Sequence, residues 1–226
     1  MKNLAIVGYG KMGKLIGQLA PEYGFDLAQT MESRDAWIGF PGIDAVIEFS
    51  TPEAATANLI RLAEAGVPTV TGTTGWFDHL REVTAAFSKA NGSLVWSPNF
   101  SVGLAVFRRL VEAAGQLLKD EAEYGAWAWE IHHDAKKDAP SGTLHHLVDA
   151  LKAGGYARPV DIASNRAGKH PGTHEIGFDS AADTITLRHA ARSREGFARG
   201  SLKSARWILD HKGVFTFEEV LFGPKK

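Results

Sequence analysis

The feature that most constrains the fold is a strand, a glycine-rich turn and a helix that follow one another at the N-terminus. The stretch NLAIVGYGKMGKLIGQL places Gly8, Gly10 and Gly13 in a G-x-G-x-x-G spacing directly after an apolar strand. There the first glycine permits a tight turn, the second lets a pyrophosphate approach the backbone, and the third lets the helix pack on the strand. N–H groups at the helix N-terminus attract an anion. The stretch therefore predicts dinucleotide binding, with a plain glycine turn as the alternative.

Strand-like and helix-like segments alternate through residues 1–100. This alternation predicts an α/β fold with a Rossmann-like, doubly wound parallel sheet over residues 1–98. The composition then changes, and the strand-like segments THEIGFDS and DTITLRHAARSR lie close enough to pair. Residues 99–194 are therefore expected to form a second, α+β domain with an open mixed sheet. A C-terminal helix, about 195–226, is expected to return to the first domain.

Composition excludes several classes of function. The 226 residues carry a formal net charge of -1 and include no cysteine. A near-neutral chain gives no electrostatic reason to expect a nucleic acid or an anionic membrane as partner. No apolar run reaches the roughly 20 residues of a membrane helix, and the N-terminus is too glycine-rich for a signal peptide, so we expect a cytoplasmic protein. Without cysteine, thiolate catalysis and thiolate metal sites are excluded.

An acidic and a basic residue follow the second predicted strand. Glu32 lies 19 residues after Gly13, where an acidic side chain bonds the adenosine ribose of a bound dinucleotide. Arg34, two residues later, is placed to pair with the 2′-phosphate of NADP. The pattern therefore leaves NADH and NADPH, or use of both, as open alternatives.

Three short loops fall at the predicted carboxyl ends of strands, where ligands lie in open α/β sheets. They are FST (Phe49–Thr51), GTTG (Gly72–Gly75) and SPNFS (Ser97–Ser101). Glycine allows close approach of a ligand, and Thr and Asn side chains can bond a carboxamide. Each loop alone is compatible with ordinary turn chemistry. Together, behind the glycine turn, they favour a nicotinamide pocket.

A run of ionisable residues, EIHHDAKKDAPSGT, precedes a predicted helix start. Ser141 is suited to be the N-cap, which leaves first-turn N–H groups at Gly142 and Thr143 for an anion. The cations just upstream suit a carboxylate substrate, and they are His132, His133, Lys136 and Lys137. His132 or Lys136 could donate a proton, because neighbouring cations and partial burial lower a lysine pKa toward the working range. A solvated loop is the alternative.

Four histidines raise the question of a metal site, and they are His132, His133, His145 and His146. No carboxylate-rich ligand cluster with metal spacing accompanies them, so no metal is expected. His145 and His146 fall inside the predicted helix, and we interpret them as surface or packing residues.

The same run resembles the signature of the dihydrodipicolinate reductase (4-hydroxy-tetrahydrodipicolinate reductase) family of lysine and diaminopimelate synthesis. The segments IVGYGKMG, DAVIEFSTPEA, VTGTTG, SPNFSVG and HAARSREGFARG match family motifs in the same order, and the resemblance covers nearly the whole chain. It implies hydride transfer from NADH or NADPH to C4 of a cyclic dicarboxylate substrate, with a proton delivered alongside. It also implies a homotetramer assembled through the second domain, which binds the substrate.

The resemblance implies a role for each matching position. His132 takes the place of the catalytic histidine and Lys136 that of the general acid. The substrate is expected to contact His133, Gly142, Thr143 and Arg194. The pyrophosphate side of the cofactor is expected at Gly8, Tyr9, Gly10, Lys11, Met12 and Gly13. The nicotinamide side is expected at Gly72, Thr73, Thr74, Ser97, Pro98, Asn99 and Phe100, with Phe49 added from its loop position.

One segment departs from the family pattern. Arg166–Gly168 resembles the family's loop after the helix, and Gly172–Glu175 follows almost at once. A strand and turn found in many members is therefore expected to be absent here, and the tetramer geometry stays open.

Two other functions compete with the reductase. One is a related dehydrogenase on the same two-domain plan that acts on another amino acid or keto acid, and the Gly142–Thr143 turn with His133 argues against it. The other is a catalytically silent NAD(P)-binding redox sensor. A sensor has no reason to combine His132, Lys136 and the anion-binding turn.

Overall fold

A computed structural model describes residues 1–32 and 35–224 of the protein. The chain divides into two compact units. The first unit contains Met1–Ser101 together with the segment that begins at Glu195, and the second contains Val102–Arg194.

Ten strands and seven α-helices lie in the described residues. The strands are β1 (Lys2–Val7), β2 (Phe25–Met31), β3 (Ala45–Glu48), β4 (Thr69–Thr71), β5 (Ser93–Trp96), β6 (Gly125–His132), β7 (Val160–Arg166), β8 (Thr173–Asp179), β9 (Thr184–Ala190) and β10 (Gly213–Thr216). The helices are α1 (Lys11–Leu19), α2 (Pro52–Glu64), α3 (Leu80–Lys89), α4 (Val102–Leu118), α5 (Gly142–Ala153), α6 (Glu195–Ile208) and α7 (Phe217–Phe222).

The first unit is built on a six-stranded sheet in the order β10-β5-β4-β3-β1-β2. All neighbouring strands run parallel. Every residue of β3 is buried, as is typical of a parallel strand covered on both faces. The chain passes from β1 to β2 on one side and then returns to β3 on the other side of β1. The topological switch point, where ligands bind in such sheets, therefore lies between the carboxyl ends of β1 and β3.

The C-terminal segment is not the single helix that the sequence predicted. Helix α6 ends at Ile208, and β10 then pairs with β5 and extends the parallel sheet. Helix α7 follows, with a capping box between Thr216 and Glu219. The sequence of β10 is GVFT, and four half-buried residues are too few to show a strand periodicity.

The second unit holds a four-stranded sheet in the order β7-β6-β8-β9. β6 and β7 are parallel, whereas β8 is antiparallel to both β6 and β9. The core joins α4 and α5 to residues of the sheet, and it includes Phe107, Val111, Leu144, Leu147, Leu151, Tyr156, Ile176 and Phe178. The predicted fold class, a Rossmann-like parallel sheet with a second α+β unit that contains a mixed sheet, is confirmed.

The segment Arg166–Gly168 follows a strand and not a helix, since Arg166 is the last residue of β7 and Ala167 and Gly168 lie in the loop before β8. β7 follows helix α5 and pairs in parallel register with β6. Its sequence VDIASNR is half exposed and does not alternate cleanly between apolar and polar residues. No helix among the described residues has the length and apolar character needed to cross a membrane.

Candidate active site

The glycine turn lies at the switch point of the first unit. Gly8 has a φ of +91°, and a Cβ there would lie 2.2 Å from the carbonyl oxygen of Phe49. A Cβ on Gly13 would lie 2.5 Å from the carbonyl oxygen of Gly8. Gly10 differs, because a Cβ built on it would meet no protein atom within 4 Å. Gly8 and Gly13 are therefore required by the protein's own packing, whereas Gly10 presents an open backbone at the N-terminus of α1.

Two of the three predicted loops are joined directly to each other. The backbone N–H of Ser50 donates to Oγ1 of Thr73 at 2.9 Å, and the indole N–H of Trp76 donates to the carbonyl of Thr73 at 2.8 Å. The ring of Phe49 fills the space beside Gly72, since a Cβ on Gly72 would lie 2.1 Å from the ring. The carboxyl ends of β3 and β4 thus form one continuous surface beside the glycine turn.

A buried carboxylate that the sequence analysis missed fixes these loops. Glu48 is fully buried at the end of β3. One carboxylate oxygen accepts from the N–H of Ser50 at 3.0 Å and from its hydroxyl, and the other accepts from the Thr71 hydroxyl at 2.6 Å. The signal in the sequence was a single acidic residue inside an otherwise apolar strand.

The third loop is organised by its own side chains. The hydroxyl of Ser97 donates to the carbonyl of Asn99 at 2.7 Å, and the side-chain oxygen of Asn99 accepts from the N–H of Ser101 at 2.8 Å. Phe100 is buried, with its ring 4.9 Å from that of Phe217 and 6.3 Å from that of Phe49. Its side chain therefore contributes to the core.

The residues expected at the adenosine end lie after β2. Glu32 is exposed, and its backbone N–H donates to the carboxylate of Asp35 at 2.6 Å. Arg34 falls outside the described residues, so its predicted contact with a 2′-phosphate stays a prediction.

In the second unit, Ser141 is the N-cap of α5, as the sequence predicted. Its hydroxyl oxygen accepts from the N–H of Leu144 at 3.2 Å. A Cβ on Gly142 would meet no atom within 4 Å, so the first turn is open to a ligand. In the structure the Asp138 carboxylate already contacts this turn. One of its oxygens lies 3.4 Å from the backbone N of Gly142, and the other lies 2.6 Å from Nζ of Lys136. The turn and Lys136 are thus arranged around one carboxylate.

The other predicted substrate contacts are His133, Thr143 and Arg194. His133 is half-buried, and its carbonyl accepts from the N–H of Lys136 at 3.1 Å. Thr143 is half-buried in the first turn of α5. Arg194 is exposed in the segment between β9 and α6.

Strand register brings a row of polar side chains together across the second sheet. Glu130 on β6 lies opposite Ser164 on β7 and His174 on β8. His174 in turn lies opposite His189 on β9, and Arg166 lies opposite His132. Of this row the sequence analysis gave a role in the site only to His132. Ser164, Arg166, His174 and His189 lie on other strands and reach it through strand register.

Glu130 is fully buried at the centre of this row. Its Oε1 accepts from the N–H of Ser141 at 2.9 Å, from the hydroxyl of Ser164 at 3.1 Å and from Nη2 of Arg166 at 2.8 Å. Its Oε2 accepts from the hydroxyl of Ser141 and lies 3.5 Å from Nδ1 of His132 and 3.5 Å from Nε2 of His174. The carboxylate therefore joins the helix N-cap, a guanidinium and two imidazoles.

Burial dominates the electrostatics of the two histidines. It lowers the pKa of His132, an effect that Glu130 opposes and that Lys136 and Arg166 reinforce. Burial, with the neighbouring His132, lowers the pKa of His174 to about 4. For Glu130, burial alone would raise the pKa, but hydrogen bonds from Ser141 and Arg166 outweigh burial and leave the pKa below its usual value. At neutral pH the cluster thus contains a carboxylate and neutral imidazoles.

The cluster has the residue types of a metal site, and one ligand atom each from Glu130, His132 and His174 lies within 4.8 Å of the others. Both carboxylate oxygens already accept hydrogen bonds, and one of them is paired with Arg166. A cation there would compete with that guanidinium. His145 and His146, the other half of the four-histidine hypothesis, are exposed on α5.

Comparisons with known proteins agree with the resemblance seen in the sequence. A family model described as "Dihydrodipicolinate reductase, N-terminus" matches residues 33–100, and one described as "Dihydrodipicolinate reductase, C-terminus" matches residues 103–221. A 4-hydroxy-tetrahydrodipicolinate reductase of Christiangramia forsetii is 32% identical over 97% of both chains. The enzyme of the same name from Archaeoglobus fulgidus is 31% identical over 94% of this chain and 96% of its own.

Solved structures share the fold. A dipicolinate-bound dihydrodipicolinate reductase from Paenisporosarcina sp. TG-14 superposes with a TM-score of 0.81 at 19% identity, over 97% of this chain and 99% of its own. An engineered D-amino acid dehydrogenase bound to NADP+ has a TM-score of 0.57 at 14% identity, over 99% of this chain and 97% of its own. The family matches and the relatives above 30% identity confirm the family resemblance. The chain therefore belongs to the dihydrodipicolinate reductase family, and it is an oxidoreductase whose N-terminal part is a nucleotide-binding, Rossmann-like domain.

Proposed function

We propose that this chain reduces 4-hydroxy-tetrahydrodipicolinate to tetrahydrodipicolinate in the diaminopimelate and lysine pathway. In the balanced reaction the substrate gains a hydride and a proton and loses water, and the reduced dinucleotide becomes NAD+ or NADP+. The observation that carries the proposal is the open N-terminal turn of α5 beside Lys136, already arranged around a carboxylate. A dicarboxylate substrate has the chemistry that this turn accepts.

The first unit has the features of a nicotinamide dinucleotide site. When bound there, the dinucleotide supplies the hydride. The open backbone at Gly10 and the N-terminus of α1 are suited to hold its pyrophosphate, together with the rest of the turn from Gly8 to Gly13. The joined loops at Phe49 and Gly72–Thr74 are suited to hold the nicotinamide end, with Ser97–Asn99 beside it. We propose Glu32 and Arg34 as the residues that bond the ribose and the 2′-phosphate, so that both NADH and NADPH are used.

The second unit has the features of a substrate site. We propose that N–H groups of Gly142 and Thr143 bind one carboxylate, which takes the place that Asp138 holds in the structure. His133 and Arg194 are proposed to bind the rest of the dicarboxylate. A homotetramer assembled through the second unit is part of the same proposal.

Lys136 is proposed as the proton donor, because its ammonium group lies beside the turn, where it contacts the same Asp138 carboxylate as the N–H of Gly142. His132 has a pKa below its ordinary value, so its imidazole is neutral near pH 7 and is not itself the acid. It lies beside the donor and contributes hydrogen-bonding capacity without adding charge.

A coupled assay tests the proposed function. Pyruvate and aspartate semialdehyde are condensed by the preceding synthase, and the loss of NADH and of NADPH is followed at 340 nm in parallel. We expect rapid loss of both cofactors that depends on the synthase. No loss, in a protein that still binds NADH, would contradict the assigned substrate.

A further inference from the structure

The buried carboxylate of Glu130 connects strands β6, β7 and β8 with the N-cap of α5. It accepts hydrogen bonds from Ser141, Ser164 and Arg166 and contacts two imidazoles, as described above. Two of its neighbours lie next to proposed functional groups: Ser141 caps the turn that is proposed to bind a carboxylate, and His132 lies beside the proposed proton donor. A single group thus contacts both the turn that binds a carboxylate and the histidine beside the proton donor.

We propose that Glu130 is a positioning residue for the reductase reaction, one that fixes the N-terminal turn of α5 and the His132–His174 pair with the same carboxylate. The inference rests on the proposed function, since it names how that site is organised.

The hydrogen bonds between Glu130 and Ser141 fix the first turn of α5. The Ser141 hydroxyl donates its hydrogen to Glu130, so its oxygen is the atom that accepts from the N–H of Leu144. The Ser141 N–H also donates to Glu130. Ser141 satisfies one first-turn N–H and Glu130 accepts the N–H of Ser141. The N–H of Thr143, and that of Gly142 once a ligand replaces the Asp138 carboxylate, can then bind that ligand. Glu130 thereby fixes the direction in which these N–H groups point.

Glu130 also acts on the protonation of His132. Glu130 lies 3.5 Å from Nδ1 of His132, and Nδ1 has no hydrogen-bond partner among the residues that the structure describes. The contact is therefore electrostatic. The other charged or titratable groups facing the pair are Arg166 from β7, Lys136 and Asp138 from the following loop, and His189 from β9, which faces His174. Glu130 and Arg166 act on His132 with opposite signs.

These opposite signs provide a test that a purely structural role would not pass. In Glu130→Gln the side chain keeps its shape but loses its charge, so the pKa of His132 should fall further. In Arg166→Gln the opposing cation is removed, so the pKa of His132 should rise. The pKa is measured by NMR titration of histidine ring signals, with the His132 signal identified by its loss in His132→Gln.

Ligand affinity tests the part that concerns the turn. The probe is dipicolinate, the ligand bound in the Paenisporosarcina reductase. Glu130→Gln and Ser141→Ala should each weaken dipicolinate binding by about tenfold, since each removes hydrogen bonds at the N-cap. The dissociation constant of NADH should stay within about twofold, because its proposed contacts lie in the first unit. Ser141→Ala should leave the pKa of His132 unchanged, which separates the two effects.

Glu175→Gln is the matched control. Glu175 follows His174 on β8 and so projects from the opposite face of the sheet, where it lies 3.5 Å from Arg188. The Glu175→Gln substitution removes the same charge as Glu130→Gln, at the residue next to His174. It should change neither the affinity for dipicolinate nor the pKa of His132.

The inference is overturned if Glu130→Gln behaves like Glu175→Gln in both measurements. If Glu130→Gln does not fold, Arg166→Gln and Ser141→Ala provide the test. The inference is then overturned if the pKa of His132 is unchanged in Arg166→Gln and the affinity for dipicolinate is unchanged in Ser141→Ala. The failure of the proposed function is distinguishable. In that case the wild-type protein shows no turnover in the coupled assay, whatever the variants do to the pKa of His132.

Discussion

The carbonyl oxygen of Phe49 occupies the space that a side chain on Gly8 would need, since a Cβ there would lie only 2.2 Å from it. This close approach joins the carboxyl end of β1 to that of β3 at the switch point of the sheet. Gly10, two residues later, has open space instead. Gly8 is therefore required by the packing of the chain itself, whereas the backbone at Gly10 is open to the ligand contact proposed above.

Alanine substitutions test these two positions separately. Gly10→Ala should fold with an unchanged melting temperature, because its φ of -81° suits alanine. Its NADH affinity should fall by about tenfold or more, since a methyl group would stand in the pyrophosphate site at a cost of about 1–3 kcal/mol. Gly8→Ala should instead destabilise the protein by about 1–3 kcal/mol. Calorimetry measures the NADH affinity, and thermal unfolding measures the stability of each variant. Normal NADH binding in Gly10→Ala would reject the proposed cofactor site.

Lys136 is expected to act in the chemical step. Lys136→Ala should lower kcat by on the order of 10²-fold or more, with little change in NADH affinity. Lys137→Ala is the control, because that neighbouring lysine is exposed and makes none of the contacts that place Lys136 beside the turn. Steady-state kinetics compare the two variants. Equal kcat values in them would show that Lys136 is not the proton donor.

Cofactor preference is expected to depend on Arg34. Arg34→Ala should weaken NADPH binding while leaving NADH binding almost unchanged, because only NADPH carries a 2′-phosphate. Arg81→Ala, which removes an exposed arginine from α3, controls for the change in net charge. Dissociation constants for both cofactors give the result, and an equal loss of affinity for both would reject the phosphate contact.

The lowered pKa of His174 predicts that the free energy of unfolding depends on pH. Its pKa in the folded protein is about 4, below the ordinary value of 6.5. Above pH 6.5 neither state binds the proton, but between 6.5 and 4 the unfolded state binds it and the folded state does not, so stability falls as the pH falls. At pH 5 the loss from this group is about 2 kcal/mol.

Urea unfolding at pH 7 and pH 5 measures this loss. His174→Gln should reduce the difference between the two pH values, whereas His145→Gln, at an exposed histidine on α5, should not. The same difference in wild type and His174→Gln would show that His174 does not titrate as the structure indicates.

Local sequence patterns were sufficient where an element carries its own signal. The glycine turn and α1 follow β1 as the N-terminal pattern predicts, and Ser141 caps α5 as its residue type predicts. The pairing of β8 with β9 also followed from their apolar content and short separation. In each case the residues that determine the structure are neighbours in the sequence.

Elements that depend on distant partners could not be predicted in this way. β7 is a strand because β6 pairs with it, and β10 because β5 does, although neither has a strong strand pattern of its own. The cluster around Glu130 was missed for the same reason, because Ser164, Arg166 and His174 reach it only through strand register.

Hydride transfer to C4 of 4-hydroxy-tetrahydrodipicolinate can be followed directly with an isotope label. The coupled reaction is run with NADH or NADPH deuterated at the transferred position, and the product is analysed by mass spectrometry. We expect one deuterium in tetrahydrodipicolinate for each cofactor oxidised. Oxidation of the cofactor without deuterium in the product, or with deuterium in some other compound, would contradict the account.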